Sequence, residues 1–161
     1  MTGPIIIGVL IGIVLTVIFE IIAMRSKMLV VHSSRFEFDE TVERVEEAIE
    51  KQNWTLVESG LLNENLEKKG VHLAPQVHLL KLCKAEYAAE VLRDNRPMAC
   101  LMPCTIAVYE TDDGDVEISK INTGIISKIF GGTVARVMGG KVAKDEEEML
   151  RNLIEETQNI A

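Results

Sequence analysis

The stretch Cys104-Thr-Ile-Ala-Val-Tyr-Glu110, Asp113-Gly114 and Asp115-Val-Glu-Ile-Ser-Lys-Ile121 decides the fold. Two runs of β-branched and aromatic residues flank an Asp-Gly pair, which predicts an antiparallel hairpin. Working outward, Val71 to Cys83 is a further strand candidate, apolar at Val77, Leu79, Leu80 and Leu82, and Lys84 to Asn95 is helical with Ala88, Val91 and Leu92 on its buried side. Trp54 to Ser59, Met28 to His32 and Arg35 to Phe38 are strand-like, and between them Asp39 reads as an N-cap. Val42, Val45, Ala48 and Ile49 form one apolar face of the helix it starts, which ends near Gln52. Leu61 to Lys69 reads as a short helix closed by Gly70, and Asp145 with Glu148 resembles a capping box opening a last helix. Helices interrupt some strands while a hairpin joins others. The expected fold class is therefore α+β, a small, largely antiparallel sheet with flanking helices.

Composition narrows the function classes. Seventeen Lys and Arg against 25 Asp and Glu give a charge of -8, which excludes a nucleic-acid partner needing a basic face. Three cysteines are too few for a disulfide-framed scaffold and suit a reducing compartment. The run from Ile5 to Met24 is apolar apart from Thr16 and Glu20, and as a helix it would be about 30 Å long. It lacks the basic start and small-residue cleavage site of a signal peptide. Residues 1–27 are thus expected to be one N-terminal transmembrane helix with a basic flank, Arg25 and Lys27 included, and 28–161 a cytoplasmic domain. The positive-inside rule puts the N-terminus outside and makes membrane lipid a partner. Gly8, Gly12, Thr16 and Glu20 recur every four residues and mark a stripe for helix self-association.

Sulfur chemistry supplies the candidate site. If the chain from Pro97 to Cys104 is extended, Met98, Cys100, Met102 and Cys104 share a face, with neighbours about 6.6 Å apart, close enough for two soft ligands on one Cu(I). Cys100 and Cys104 would then be roughly 13 Å apart, too far for a disulfide without a bend. The plainer reading is a buried row, since Met and free Cys pack as hydrophobes. Cys83 ends a strand where a helix begins, next to Lys81 and Lys84, a setting that favours thiolate. If that strand pairs with the one starting at Cys104, the two thiols come within disulfide or shared-metal reach.

Other motifs carry less. His72 and His78 lie about 20 Å apart along a strand, too far to share an ion, and His32 is isolated. Gly139-Gly140-Lys141 lacks the upstream glycine and the Ser or Thr of a phosphate loop. Those glycines, with Gly131-Gly132, read as helix ends or close helix packing. The acidic run Asp145 to Glu148 reads as a solvated face.

Phe38-x-x-Thr41, Asn53-Trp54, Leu82-Cys83-Lys84-Ala85-x-x-Ala88, Met102-Pro103-Cys104-x-Ile106-x-Val108-Tyr109-Glu110 and Ile118-Ser119 follow one another in the order of a known pattern. Over roughly Phe36 to Lys144 the sequence resembles the domain of unknown function 302 family, in its membrane-anchored, cysteine-bearing type. The resemblance implies an α+β domain that associates as dimers or larger oligomers, with thiols at the positions of Cys83 and Cys104, and it implies no accepted reaction. Two functions follow. One is a thiol, sulfur or soft-metal site at Cys83 and Cys104, with Cu(I) or haem as the ligand. The other is a non-catalytic oligomeric scaffold assembled through the helix stripe and the domain. No nucleophile–base pair or phosphate cradle supports a conventional enzyme.

Overall fold

The hairpin strands β4 (Cys104–Glu110) and β5 (Val116–Ile121) form the middle of a five-stranded sheet in the computed structural model, which describes residues 12–19 and 27–155. With β1 (Leu29–Ser33), β2 (Thr55–Leu61) and β3 (Val77–Cys83) the order is β1-β5-β4-β3-β2, every pair antiparallel. Period-2 alternation explains the layering. Leu80 and Leu82 of β3, Ile106 and Val108 of β4 and Ile118 of β5 are fully buried on one face. That face carries α1 (Phe38–Lys51), α3 (Ala85–Asp94) and the last helix, whose Val45, Ile49, Val91, Val137 and Leu150 complete a single core. On the other face Leu29, Val31 and Ile121 are exposed, as is common for antiparallel sheets covered on one side.

The α+β architecture stands as expected, with several local differences. Phe38 opens α1 rather than ending a strand, and Glu37 holds the N-cap position in place of Asp39. Only 77–83 of the long 71–83 candidate is strand. The turn before it is fixed by the α2 (Leu62–Glu67) residue Asn63, whose amide nitrogen donates to the carbonyls of Leu73 and Pro75 at 2.9 and 2.8 Å. The chain at 96–101 is a 3₁₀ helix opened by Arg96-Pro97, where proline suits a first helical turn. It destroys the extended sulfur row: Met98 is buried in the core while Cys100 faces solvent.

The capping box is also overturned. After α4 (Thr123–Phe130), closed by Gly131 at φ 62°, residues 132–150 run as one helix, α5, and Asp145 lies inside it. Its middle, Ala135–Val142, is π-helical, a form that concentrates at functional positions. Gly139 explains how closely α5 approaches α4. A Cβ there would fall within 2.6 Å of the Ser127 Cβ and still closer to its Oγ. Ser127 is tied to the Gly124 carbonyl at 2.6 Å and cannot swing away freely. Gly139→Ala is therefore expected to cost about 1–3 kcal/mol through overpacking, read from the shift in urea midpoint. An unchanged midpoint would mean that the two helices part easily.

The single-pass membrane placement is corrected. Of the apolar run, residues 12–19 are described and are helical. Among the described residues no helix is long and apolar enough to cross a membrane. That finding overturns the single-pass arrangement with the N-terminus outside and the domain cytoplasmic. Of the proposed stripe, Thr16 donates its hydroxyl to the Gly12 carbonyl at 2.9 Å, so it satisfies its own helix. Gly8 and Glu20, like most of the Ile5 to Met24 run, lie outside the described residues.

Candidate thiol and soft-metal site

Register brings the two strand-end cysteines together. Cys104 pairs with Leu82, so Cys83 is the next residue along from its partner. Cys83 and Cys104 are both among the residues lining one small cavity with Met102 and Met138, Cys104 from the core face beside Leu82 and Cys83 from the strand end opposite Thr55. Its volume is about 20 Å³, room for roughly one water-sized sphere. Met102 arrives just before β4, and Met138 is delivered by the π-helical part of α5. All three cysteines are free thiols.

One wall is aromatic and cationic. Trp54 and Tyr87 meet edge to face, 5.9 Å between centroids and 85° between planes. The Lys84 Nζ lies 4.9 Å from the Tyr87 centroid and 5.9 Å from that of Trp54. It donates to the Asp145 carboxylate and the Gln52 carbonyl, both at 3.1 Å. The Trp54 Nε1 donates to the same carboxylate at 2.9 Å. Burial alone would raise Asp145, but these hydrogen bonds and the Lys84 charge hold it below the ordinary carboxylate value. Burial likewise opposes the charge of Lys84, and Asp145 outweighs it, so the ammonium persists.

Cys104 is in the opposite situation. Burial pushes its thiol up to about 12, with the Glu146 and Cys83 charges adding to the shift and Lys120 opposing it. Glu146 is 2% exposed and bonds Lys120 Nζ at 2.7 Å; Lys120 stands on the core face of β5 because its position has the parity of Ile118. Burial also raises the Glu146 carboxyl, against the pull of Lys120. On this far side of Cys104 a second cavity of about 150 Å³ is lined by Cys100, Cys104, Thr123, Met138 and Glu146.

Of the sequence candidates, the structure thus gathers Cys83, Cys104 and Met102 at one cavity and places Cys100 at its neighbour. Met98 is removed into the core. Met138 and Glu146 were missed. No spacing marks Met138, because a π-helical stretch sets its direction, and Glu146 was read as part of a solvated acidic face. Among the described residues no group of three or more His, Cys, Asp or Glu could hold a metal ion. Zinc, which takes four such ligands in closed sites, does not fit. A cavity of about 20 Å³ is also far too small for haem.

The protein is thus of the class built from a five-stranded antiparallel sheet covered by helices on one face, with a small cavity whose lining residues include the strand-end cysteines. The chain belongs to the family described as domain of unknown function DUF302, whose model matches residues 30–157. Among solved structures it is similar to an uncharacterized conserved DUF302 protein from Bacillus stearothermophilus. That match has a TM-score of 0.68 and 20% identity, and covers 78% of this chain and 97% of that one. At that identity the likeness concerns the fold alone. No curated protein matches.

Proposed function

We propose that this domain binds a soft monovalent metal ion, Cu(I), through Cys83 and Cys104, with Met102 and Met138 as thioether neighbours, and that it holds or passes on the ion rather than catalysing a conventional reaction. The observation that carries this reading is that Cys83, Cys104, Met102 and Met138 are all among the residues lining one cavity sized for one small sphere. Thioether sulfur distinguishes Cu(I) from harder ions, which favour imidazole and carboxylate. The resemblance to cysteine-bearing members of the family, with thiols at these same two positions, supports the choice of residues.

Trp54, the only tryptophan in the chain, lines the cavity and reports on it. Anaerobic titration of the full chain with Cu(I), against a chromogenic Cu(I) chelator as competitor, is expected to quench Trp54 emission with an endpoint near one equivalent. Cys83→Ser and Cys104→Ser should each remove the tight phase. No quenching, with no copper retained after desalting, would end the metal reading.

A further inference from the structure

We infer that Lys120 is a reactive amine that forms a reversible imine with a small aldehyde or ketone, in a cavity between β1, β5 and the end of α5, with Glu146 carrying the protons. The inference is independent of the Cu(I) reading, since this cavity shares no lining residue with the one at Cys83 and Cys104. Its volume is about 650 Å³, within the roughly 300–1,000 Å³ of small-molecule sites. Register builds one wall: Val30 pairs with Lys120 and His32 with Ile118, so Val30, His32 and Lys120 stand on the core face. Ala143, Glu146 and Leu150 of α5 supply another, and the Ser34–Ile154 bridge ties the two together. The Lys120 Nζ sits 2.7 Å from the Glu146 Oε2, and both residues line the cavity, so the ion pair is part of its wall. The lysine side chain keeps 12% of its surface exposed against 3% for the glutamate, which makes the lysine the member open to a small molecule. Stability alone does not call for this pair, because two apolar groups hold such a position as well. Imine chemistry does call for it: an amine that attacks only after losing a proton, beside a carboxyl that takes that proton and returns it. Burial raises the Glu146 carboxyl against the pull of Lys120, which favours its acid form and hence the transfer.

The steps balance without an outside acid, base or oxidant. The Lys120 Nζ passes one proton to Glu146 and attacks the carbonyl carbon; the N–C bond forms as the carbonyl oxygen takes that proton from Glu146. The nitrogen, now with two protons and a positive charge, gives one to the Glu146 carboxylate. Glu146 returns it to the hydroxyl, the C–O bond breaks, water leaves, and the nitrogen lone pair closes the C=N bond. An ammonium and a carbonyl have become an iminium and one water. The product keeps its single positive charge beside the Glu146 carboxylate, so neither charge is stranded in the water-poor site.

The test is reductive trapping with propanal and cyanoborohydride on the full chain at pH 6, with the alkylated lysines located by peptide mass spectrometry. Exposed lysines such as Lys51, Lys68 and Lys69 hold roughly one free amine in 10⁴ at that pH and react slowly. Lys120 is expected to react at least about tenfold faster, since general acid–base help is typically worth about 10²–10⁴. In urea that preference should vanish, because the pair and its cavity are gone. A folded protein whose Lys120 is labelled no faster than the exposed lysines would overturn the inference, and so would a preference that survives in urea. Glu146→Gln keeps an oxygen to accept from the ammonium but takes no proton, and is expected to bring Lys120 down to the exposed rate. An undiminished preference in folded Glu146→Gln would overturn the proton route. Where circular dichroism shows that variant unfolded, the comparison of folded and urea-unfolded wild type decides.

Discussion

The Cu(I) affinity of this chain is expected to rise by at least about tenfold per pH unit between roughly pH 6 and pH 9, because ligation must displace the Cys104 proton. Burial, with Glu146 and Cys83 adding, puts that thiol at about 12, so it is protonated throughout the window. The same burial that penalises a bare thiolate does not penalise a sulfur whose charge is cancelled by a bound cation, so the cavity favours metal over proton increasingly as protons become scarce. Cys104→Ser is expected to lower affinity at pH 8 by more than about 100-fold, beyond the usual cost of losing an outer partner. It should also remove the part of the slope that Cys104 contributes. Competition with a chelator at several pH values measures both, and a flat profile would sink the assignment of Cys104 as ligand.

The metal-free protein carries the matching signature. A folded-state value raised from 9.0 to about 12 means the Cys104 thiol contributes stability that is fully present below pH 9 and is lost as pH rises toward 12. The loss amounts to about 4 kcal/mol at one 1.36 kcal/mol step per unit. Tyr109, hydrogen bonded to Glu117 and also held near 12 by burial and that carboxylate, titrates in the same range. The contrast with Cys104→Ala isolates the thiol, because Tyr109 remains in both proteins.

How far the molecule was legible from its sequence depends on which force fixed each part. The hairpin was legible because alternation and an Asp-Gly turn are local: β4 spans the quoted Cys104–Glu110, and Gly114 adopts the expected positive φ, 88°. The pairing of β3 with β4, only a condition in the sequence, is present and sets Cys104 opposite Leu82. The sulfur row failed because extended geometry was carried back from Pro103 to Pro97, although Arg96-Pro97 starts a helical turn. Asp145 failed for a tertiary reason. Asp and Glu just before an apolar helix look like a cap, but the carboxylate is claimed by Trp54 and Lys84, far away in sequence. Lys120 was legible in principle, since its parity with Ile118 put a charge on the core face and demanded a buried partner. Which acid would answer was not, because Glu146 reaches it only through the packing of α5.

That pair supplies the largest expected effect on stability. The Lys120 side chain is 12% exposed and that of Glu146 3% exposed, so removing one partner strands the other in a water-poor site. Glu146→Leu is expected to cost about 3–5 kcal/mol in urea unfolding, and Lys120→Met a similar amount. The double variant, with both charges replaced by apolar groups, should return to within about 1 kcal/mol of wild type or exceed it. The pH dependence has a definite sign. Glu146 is raised above 4.5 in the folded protein, chiefly by burial, so its contribution is fully present below that value and declines as pH rises through the folded one. That makes the cost of Glu146→Leu shrink from about pH 4 to pH 8. A cost that grows over that range would show that the carboxylate, not the neutral acid, is the form the fold prefers. The burial that lifts Glu146, and through it helps to lift Cys104, would then be the wrong account of both groups.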